Sequence, residues 1–199
     1  VTLDDDAIER LVVEARDGDP GAFARLFDEY HGAVYRYIAS RVRRPVDAED
    51  LTQTVFVKVL EALPRYESRG VPFGGWLFRL ARNTVIDHVR TRREHADLAS
   101  VGDRSGDDET PHEIAVLRQR LDEVAAALES LTDEQRDAIA LRYFAGLSAR
   151  EAAVAMGKQE GTVRGLQFRA IAALRRQLGI ADPTDEERTL ASRARTDRG

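Results

Sequence analysis

The chain has 199 residues, 43% of them hydrophobic, a formal net charge of -5 and no cysteine. That length allows one domain or two small ones, and the missing thiols exclude disulfides, zinc-thiolate sites and cysteine nucleophiles. No apolar run approaches the roughly 18 residues needed to span a bilayer, and the acidic start "VTLDDDAIER" does not read as a signal peptide, so a cytoplasmic protein without membrane insertion is expected.

The pattern is helical nearly throughout. Ile8, Leu11, Val12 and Ala15 share one face of a short first helix. "DGDP" ends it and starts the next, with Asp19 as N-cap and Pro20 at the first helical position. Phe23, Leu26, Phe27, Tyr30, Val34, Tyr37 and Ile38 form a long apolar stripe. After a break at Pro45, a third helix is predicted over 47–62, with Ala48, Leu51, Val55 and Val59 buried. "LPRYESRGVPFGG" holds two prolines and three glycines and reads as a loop.

The next helix, 76–93, carries five arginines against one aspartate. Leu77, Leu80, Ala81, Thr84, Val85, His88 and Val89 make its apolar face. Arg79, Arg82, Asn83, Ile86, Arg90 and Arg93 fall at i, i+3, i+4, i+7, i+11 and i+14, roughly opposite, with no acid among them. A helix turned only to water usually mixes acids with bases. This face is instead suited to nucleic acid, because arginine binds phosphate and guanine bidentately and asparagine does the same to adenine. Tyr66, Phe73 and Trp76 lie beside it, where aromatics can stack on unpaired bases. Trp76 and Phe73 can also close the small core, and Trp76 is assigned to the core.

Residues 94–113 have a net charge of -6 and few large apolar side chains, the composition of a flexible linker. The expected division is therefore a domain at 1–93, a linker at 94–113, a second domain at 114–179 and a mobile tail at 180–199. Ile114, Leu117, Leu121, Val124 and Leu128 open the second domain at helical spacing. Thr132 with Gln135 forms a capping box, and Ile139, Ala140, Tyr143 and Phe144 are predicted to share an apolar face. A second capping box, Ser148 with Glu151, starts a helix that Gly157 ends. Another helix starts at Thr162 or Gly161 and runs to about 178. This is a helix-turn-helix pattern, whose second helix enters the major groove. Lys158, Gln159, Glu160, Thr162, Arg164, Gly165, Phe168 and Arg169 would lie at or near that surface, while Val163, Leu166, Ala170, Leu174 and Leu178 pack inward.

The segment "DAEDLTQTVFVKVLEALPRY" followed by "WLFRLARNTVIDHVRTRR" resembles region 2 of bacterial sigma factors. "ESLTDEQRDAIALRYFAGLSAREAAVAMGKQEGTVRGLQFRAIAALRRQL" resembles their region 4, and the short linker between them resembles the extracytoplasmic-function subclass. The resemblance implies an all-α fold of two helical domains and an initiation factor for RNA polymerase. Asp50, Gln53 and Phe56 would dock on the β′ clamp helices of core polymerase, and region 4 would meet the β flap. The loop 64–75, with Tyr66, would take a flipped base of the −10 element. Arg79, Arg82, Asn83, Ile86, Arg90 and Arg93 would hold or read that element, and the helix from Thr162 would read the −35 element. An anti-sigma factor is an implied partner. The recognition helix departs from the family where "RGLQFRAI" follows "GTV": Gly165, Leu166 and Phe168 replace a serine, an arginine and a histidine.

The alternative is a two-domain helix-turn-helix regulator that binds duplex DNA without core polymerase. It leaves the arginine face of 76–93 without a role. Catalysis is not expected, since His31, His88, His95 and His112 show no metal-ligand spacing and no nucleophile motif or phosphate loop occurs. No cofactor, metal or small-molecule substrate is implied.

Overall fold

The computed structural model describes residues 3–68, 70–96 and 123–180. Most of the expected linker, the whole tail beyond Ile180, and Ile114, Leu117 and Leu121 lie outside the described residues. Among the described residues the fold is all-α. The helices are α1 (Asp5–Arg16), α2 (Pro20–Ala39), α3 (Pro45–Ala62) with a 3-10 turn at Leu63–Arg65, and α4 (Phe73–Ala96). Helix α5 is described over 123–129. Helix α6 (Asp133–Ile139) runs into a π-helical turn at Ala140–Phe144, followed by α7 (Ala149–Met156) and α8 (Glu160–Gln177). The chain sorts into two compact units: 1–104 with 137–165, and 105–136 with 166–199.

Short polar residues start the helices. The Asp4 carboxylate accepts from the Ala7 N–H at 2.7 Å, and Asp19 accepts from Gly21 and Ala22 at 2.7 and 3.3 Å, satisfying donors that the first turn leaves free. Pro20 and Pro45 occupy first-turn positions of α2 and α3. A proline there gives up an N–H that has no helical partner, which is why α3 begins two residues earlier than its apolar pattern suggests. For the same reason of pattern, α4 begins at Phe73 and not at 76: Gly74 and Gly75 looked like loop but belong to its first turn.

The core of the first unit contains Val34, Tyr37, Ile38, Val55, Val59, Leu63, Leu77, Phe78 and Val85. Tyr37 and Phe78 meet edge to face at 5.8 Å, a favoured aromatic geometry. Lys58 donates to the Thr84 hydroxyl at 2.9 Å, tying α3 to α4. In the second unit, Thr132 and Gln135 make their reciprocal capping box, and the Arg136 guanidinium donates to the carbonyls of Leu128, Glu129 and Leu131.

Expected apolar positions turn outward at two places in the chain. Val124 is exposed, and Tyr143 is 57% exposed, with Phe144 also open to solvent. The physical reason in the second case is the π turn. Its wider spacing breaks the 3.6-residue register, so Ala138, Ile139, Ala140 and Leu141 go inward in succession while Tyr143 and Phe144 swing out.

Candidate nucleic-acid interface

Helix α4 presents Arg79, Asn83, Ile86 and Arg90 as exposed residues. The side chain of Arg93 lies outside the described residues. Arg82 differs from the others: its Nε donates to Asp137 Oδ2 at 2.7 Å and only 20% of its side chain is exposed. Arg92, off this face, reaches Asp47 Oδ2 at 2.6 Å, and His88 Nε2 lies 3.8 Å from the same oxygen, half-buried as its place on the apolar side implied.

Beside the α4 face is an open cavity of about 440 Å³ lined by Arg65, Tyr66, Glu67, Val71, Trp76, Arg79 and Val154. Its aromatic side is a three-ring cluster. Tyr66 and Trp76 lie 4.7 Å apart, Phe73 and Trp76 5.4 Å, and Tyr66 and Phe73 5.6 Å. Phe73 is buried, whereas Trp76 is only half-buried and serves both the core and the cavity wall. Burial pushes the Tyr66 hydroxyl pKa up, and a hydrogen bond with Ser68 pulls against that shift. A large apolar wall with arginines beside it can stack a base and hold its phosphate.

Helix α3 corrects one expectation. Asp50 and Gln53 are exposed, but Phe56 is buried, with 7% of its surface open. It packs on Phe27 at 4.6 Å and on His31 at 6.1 Å. The exposed apolar residues are instead Val57 at 56% and Leu60 at 55%, with Val46 a further one. Val46, Asp50, Gln53, Val57 and Leu60 fall at i, i+4, i+7, i+11 and i+14, one continuous stripe. Sequence reasoning passed over Val57 and Leu60 because the run "VFVKVL" is apolar at too many positions to assign a face. It also passed over Asp137, whose partners Arg82 and Tyr37 lie 55 and 100 positions away.

The helix-turn-helix has the expected local chemistry. Ser148 accepts from the Glu151 N–H at 3.2 Å, while the Glu151 carboxylate accepts from the Ser148 N–H at 2.8 Å. Gly157 takes a left-handed conformation, φ 63°, where a side chain would be strained. Helix α8 starts at Glu160, earlier than the two positions considered. Gln159, Thr162, Arg164, Phe168 and Arg169 are exposed, and Lys158, Glu160 and Gly165 are partly so. Phe168 is 76% exposed. Arg164 is held by Glu160 one turn back, at 2.6 Å. Val163, Leu166 and Ala170 are buried as expected; Leu174 and Leu178 are half-buried. Among the described residues no cluster of three or more His, Asp or Glu is placed to hold a metal, and no helix is long and apolar enough to cross a membrane.

Two family models match: Sigma-70 region 2 over residues 26–95 and Sigma-70 region 4 over residues 127–176. The chain is 35% identical over 170 residues to the ECF RNA polymerase sigma factor BldN of Streptomyces coelicolor, covering 84% of this chain and 64% of that relative. It is 33% identical over 187 residues to the ECF RNA polymerase sigma factor SigD of Mycobacterium tuberculosis, covering 91% and 88%. The solved structure of CnrH in complex with the cytosolic domain of CnrY is similar at a TM-score of 0.68 and 28% identity, over 88% of this chain and 99% of that one. With both regions matched in order and a relative above 30% identity matched over 88% of its length, the chain belongs to the extracytoplasmic-function RNA polymerase sigma factors, the alternative sigma factors of transcription initiation.

Proposed function

We propose that this chain joins core RNA polymerase through the exposed stripe of α3, holds the −10 element on α4 and the neighbouring cavity, and reads the −35 element with α8. The observation that carries this reading is the exposed row of Arg79, Asn83, Ile86 and Arg90 on α4 beside an aromatic-walled cavity. Asp50 and Gln53 supply polar contacts to an arginine-rich coiled coil such as the β′ clamp helices. Val57 and Leu60 supply the apolar anchor expected of Phe56, which is committed to the core. Tyr66 and Trp76 stack a flipped base, Arg79 and Arg90 hold the backbone, and Asn83 reads a base edge. The region 4 part, residues 114–179, meets the β flap and the −35 duplex through Lys158, Gln159, Thr162, Arg164, Phe168 and Arg169. The acidic linker 94–113 follows the path of nucleic acid through the polymerase. The protein works in the cytoplasm, performs no catalytic step of its own and uses no cofactor. An anti-sigma factor covering α3 and α4 is the partner that would regulate it. The regulator that never engages polymerase is not favoured, because the region 2 match spans α3 and α4, which that reading leaves idle.

The test is a division of labour. Val57→Asp with Leu60→Asp should abolish co-elution with core polymerase on a sizing column. Arg79→Ala with Asn83→Ala should leave co-elution intact and reduce promoter opening, followed by permanganate footprinting, by about tenfold or more. If both pairs lost the same activity, the assignment of two surfaces would be wrong.

A further inference from the structure

Helices α3 and α4 belong to the same unit and run in opposite directions, since Asp47 meets Arg92 while Lys58 meets Thr84. Most of what the two helices bury is apolar: Val55, Val59, Leu77, Ala81 and Val85 are each at most 2% exposed. Apolar contacts are non-directional. They do not by themselves fix how far α4 slides along α3.

Two polar ties do. Lys58 Nζ donates to Thr84 Oγ1 at 2.9 Å, and that hydroxyl donates onward to the Leu80 carbonyl at 2.9 Å. With its one hydrogen given to Leu80, the hydroxyl turns a lone pair to the ammonium. Thr84 is 3% exposed and Lys58 is half-buried. At the other end of the seam, Arg92 Nη1 donates to Asp47 Oδ2 at 2.6 Å, with His88 Nε2 3.8 Å from the same oxygen. Arg92 is 52% exposed, so water and salt screen that tie. The buried tie discriminates more strongly. A slip of one turn, about 5.4 Å, would leave an ammonium in the seam without its acceptor, and an unmatched buried donor is costly.

The residue type is itself a signal. The chain has 28 arginines and 2 lysines, and one of the two lysines stands here. A single hydroxyl suits a compact ammonium, whereas a planar guanidinium fork would leave donors unmatched. Each tied residue also adjoins one assigned to a partner: Lys58 follows Val57, and Thr84 follows Asn83.

We propose that Lys58 and Thr84 are positioning residues for promoter opening. Their hydrogen bond sets the offset of α4 along α3, so that core polymerase, gripping Val57 and Leu60, delivers Arg79 and Asn83 to the −10 strand at one fixed height. The pair acts through its neighbours and touches neither polymerase nor DNA. Its contribution is register more than stability, a role that polar groups in apolar seams can take. This rests on the reading that α3 docks on core polymerase and α4 holds the −10 element.

The test removes the tie without opening a hole. Lys58→Met with Thr84→Val replaces both partners by apolar groups of similar size, a change that is near neutral for folding. The full-length double variant should keep the native urea midpoint and bind core polymerase with native affinity. Promoter opening by the reconstituted holoenzyme, read by permanganate reactivity, should fall about fivefold. Thr84→Ser, which keeps the hydroxyl, should open the promoter as the native chain does, and Lys58→Arg should not. Native opening by the double variant or by Lys58→Arg would overturn the proposal. So would a double variant that loses stability or core binding along with opening, or a Thr84→Ser variant as defective as the double. Failure of the function reading looks different: Arg79→Ala with Asn83→Ala would then leave opening unchanged as well.

Discussion

Phe56 and Val57 are neighbours in sequence and opposites in exposure, 7% against 56%. Truncating them should therefore separate stability from binding. Phe56→Ala leaves a cavity against Phe27 and His31 and should cost about 3 kcal/mol in urea unfolding, the usual size for a buried phenylalanine. Val57→Ala should change stability by less than about 0.5 kcal/mol, as surface substitutions do, while weakening co-elution with core polymerase. Phe168 is a second case of the same kind. At 76% exposure it adds little to the fold, yet its ring is available to thymine methyl groups in the major groove. Phe168→Ala should leave the thermal melt unchanged and shift the −35 preference away from thymine in a selection from randomised duplexes; an unchanged preference would remove Phe168 from the reading surface. Three tyrosines give a pH signature. Burial is the largest cause of the raised pKa at Tyr30, Tyr37 and Tyr66, with the charges of Glu151 and Asp137 adding to it at Tyr30 and Tyr37 respectively. The folded state then keeps protons that the unfolded state loses above the ordinary tyrosine value of about 10. Stability is unaffected by these groups below that value and should fall as pH rises through it, measured as a declining urea midpoint.

At the scale of elements, most of the architecture was legible because helices announce their ends in local chemistry. Asp19 with Pro20, Thr132 with Gln135, Ser148 with Glu151, and Gly157 are all found in the roles their types suggest. Ser148→Ala removes one half of a capping box that starts the helix-turn-helix, and should cost about 1 kcal/mol in thermal or urea unfolding. What was not legible depended on something other than local chemistry. The π turn at Ala140–Phe144 shifts the register in a way that apolar spacing cannot announce. Gly74 and Gly75 read as loop by type, and their place in α4 follows from the close approach of α7. The α4 face was readable as a wheel, but the commitment of Arg82 to Asp137 was not, since the partner lies 55 residues away. Of the residues that the resemblance assigned to core polymerase, Asp50 and Gln53 are exposed, while burial had to separate Phe56 from Val57.

At the scale of the whole molecule, the net charge of -5 hides a segregation. Residues 76–93 and 158–178 each have a net charge of +4, whereas 1–29 and 94–113 each have -6. Two basic helices in an acidic chain fit two contacts on one promoter, and phosphate contacts of this kind weaken steeply with salt. Both surfaces are proposed to act only as part of a polymerase holoenzyme. The direct measurement is reconstitution: the purified chain mixed with core RNA polymerase, passed over a sizing column, and assayed by run-off transcription on genomic DNA fragments. The expected result is co-elution with core and discrete transcripts that disappear when the chain is omitted. Failure to co-elute, together with tight binding of the chain alone to duplex DNA, would contradict it.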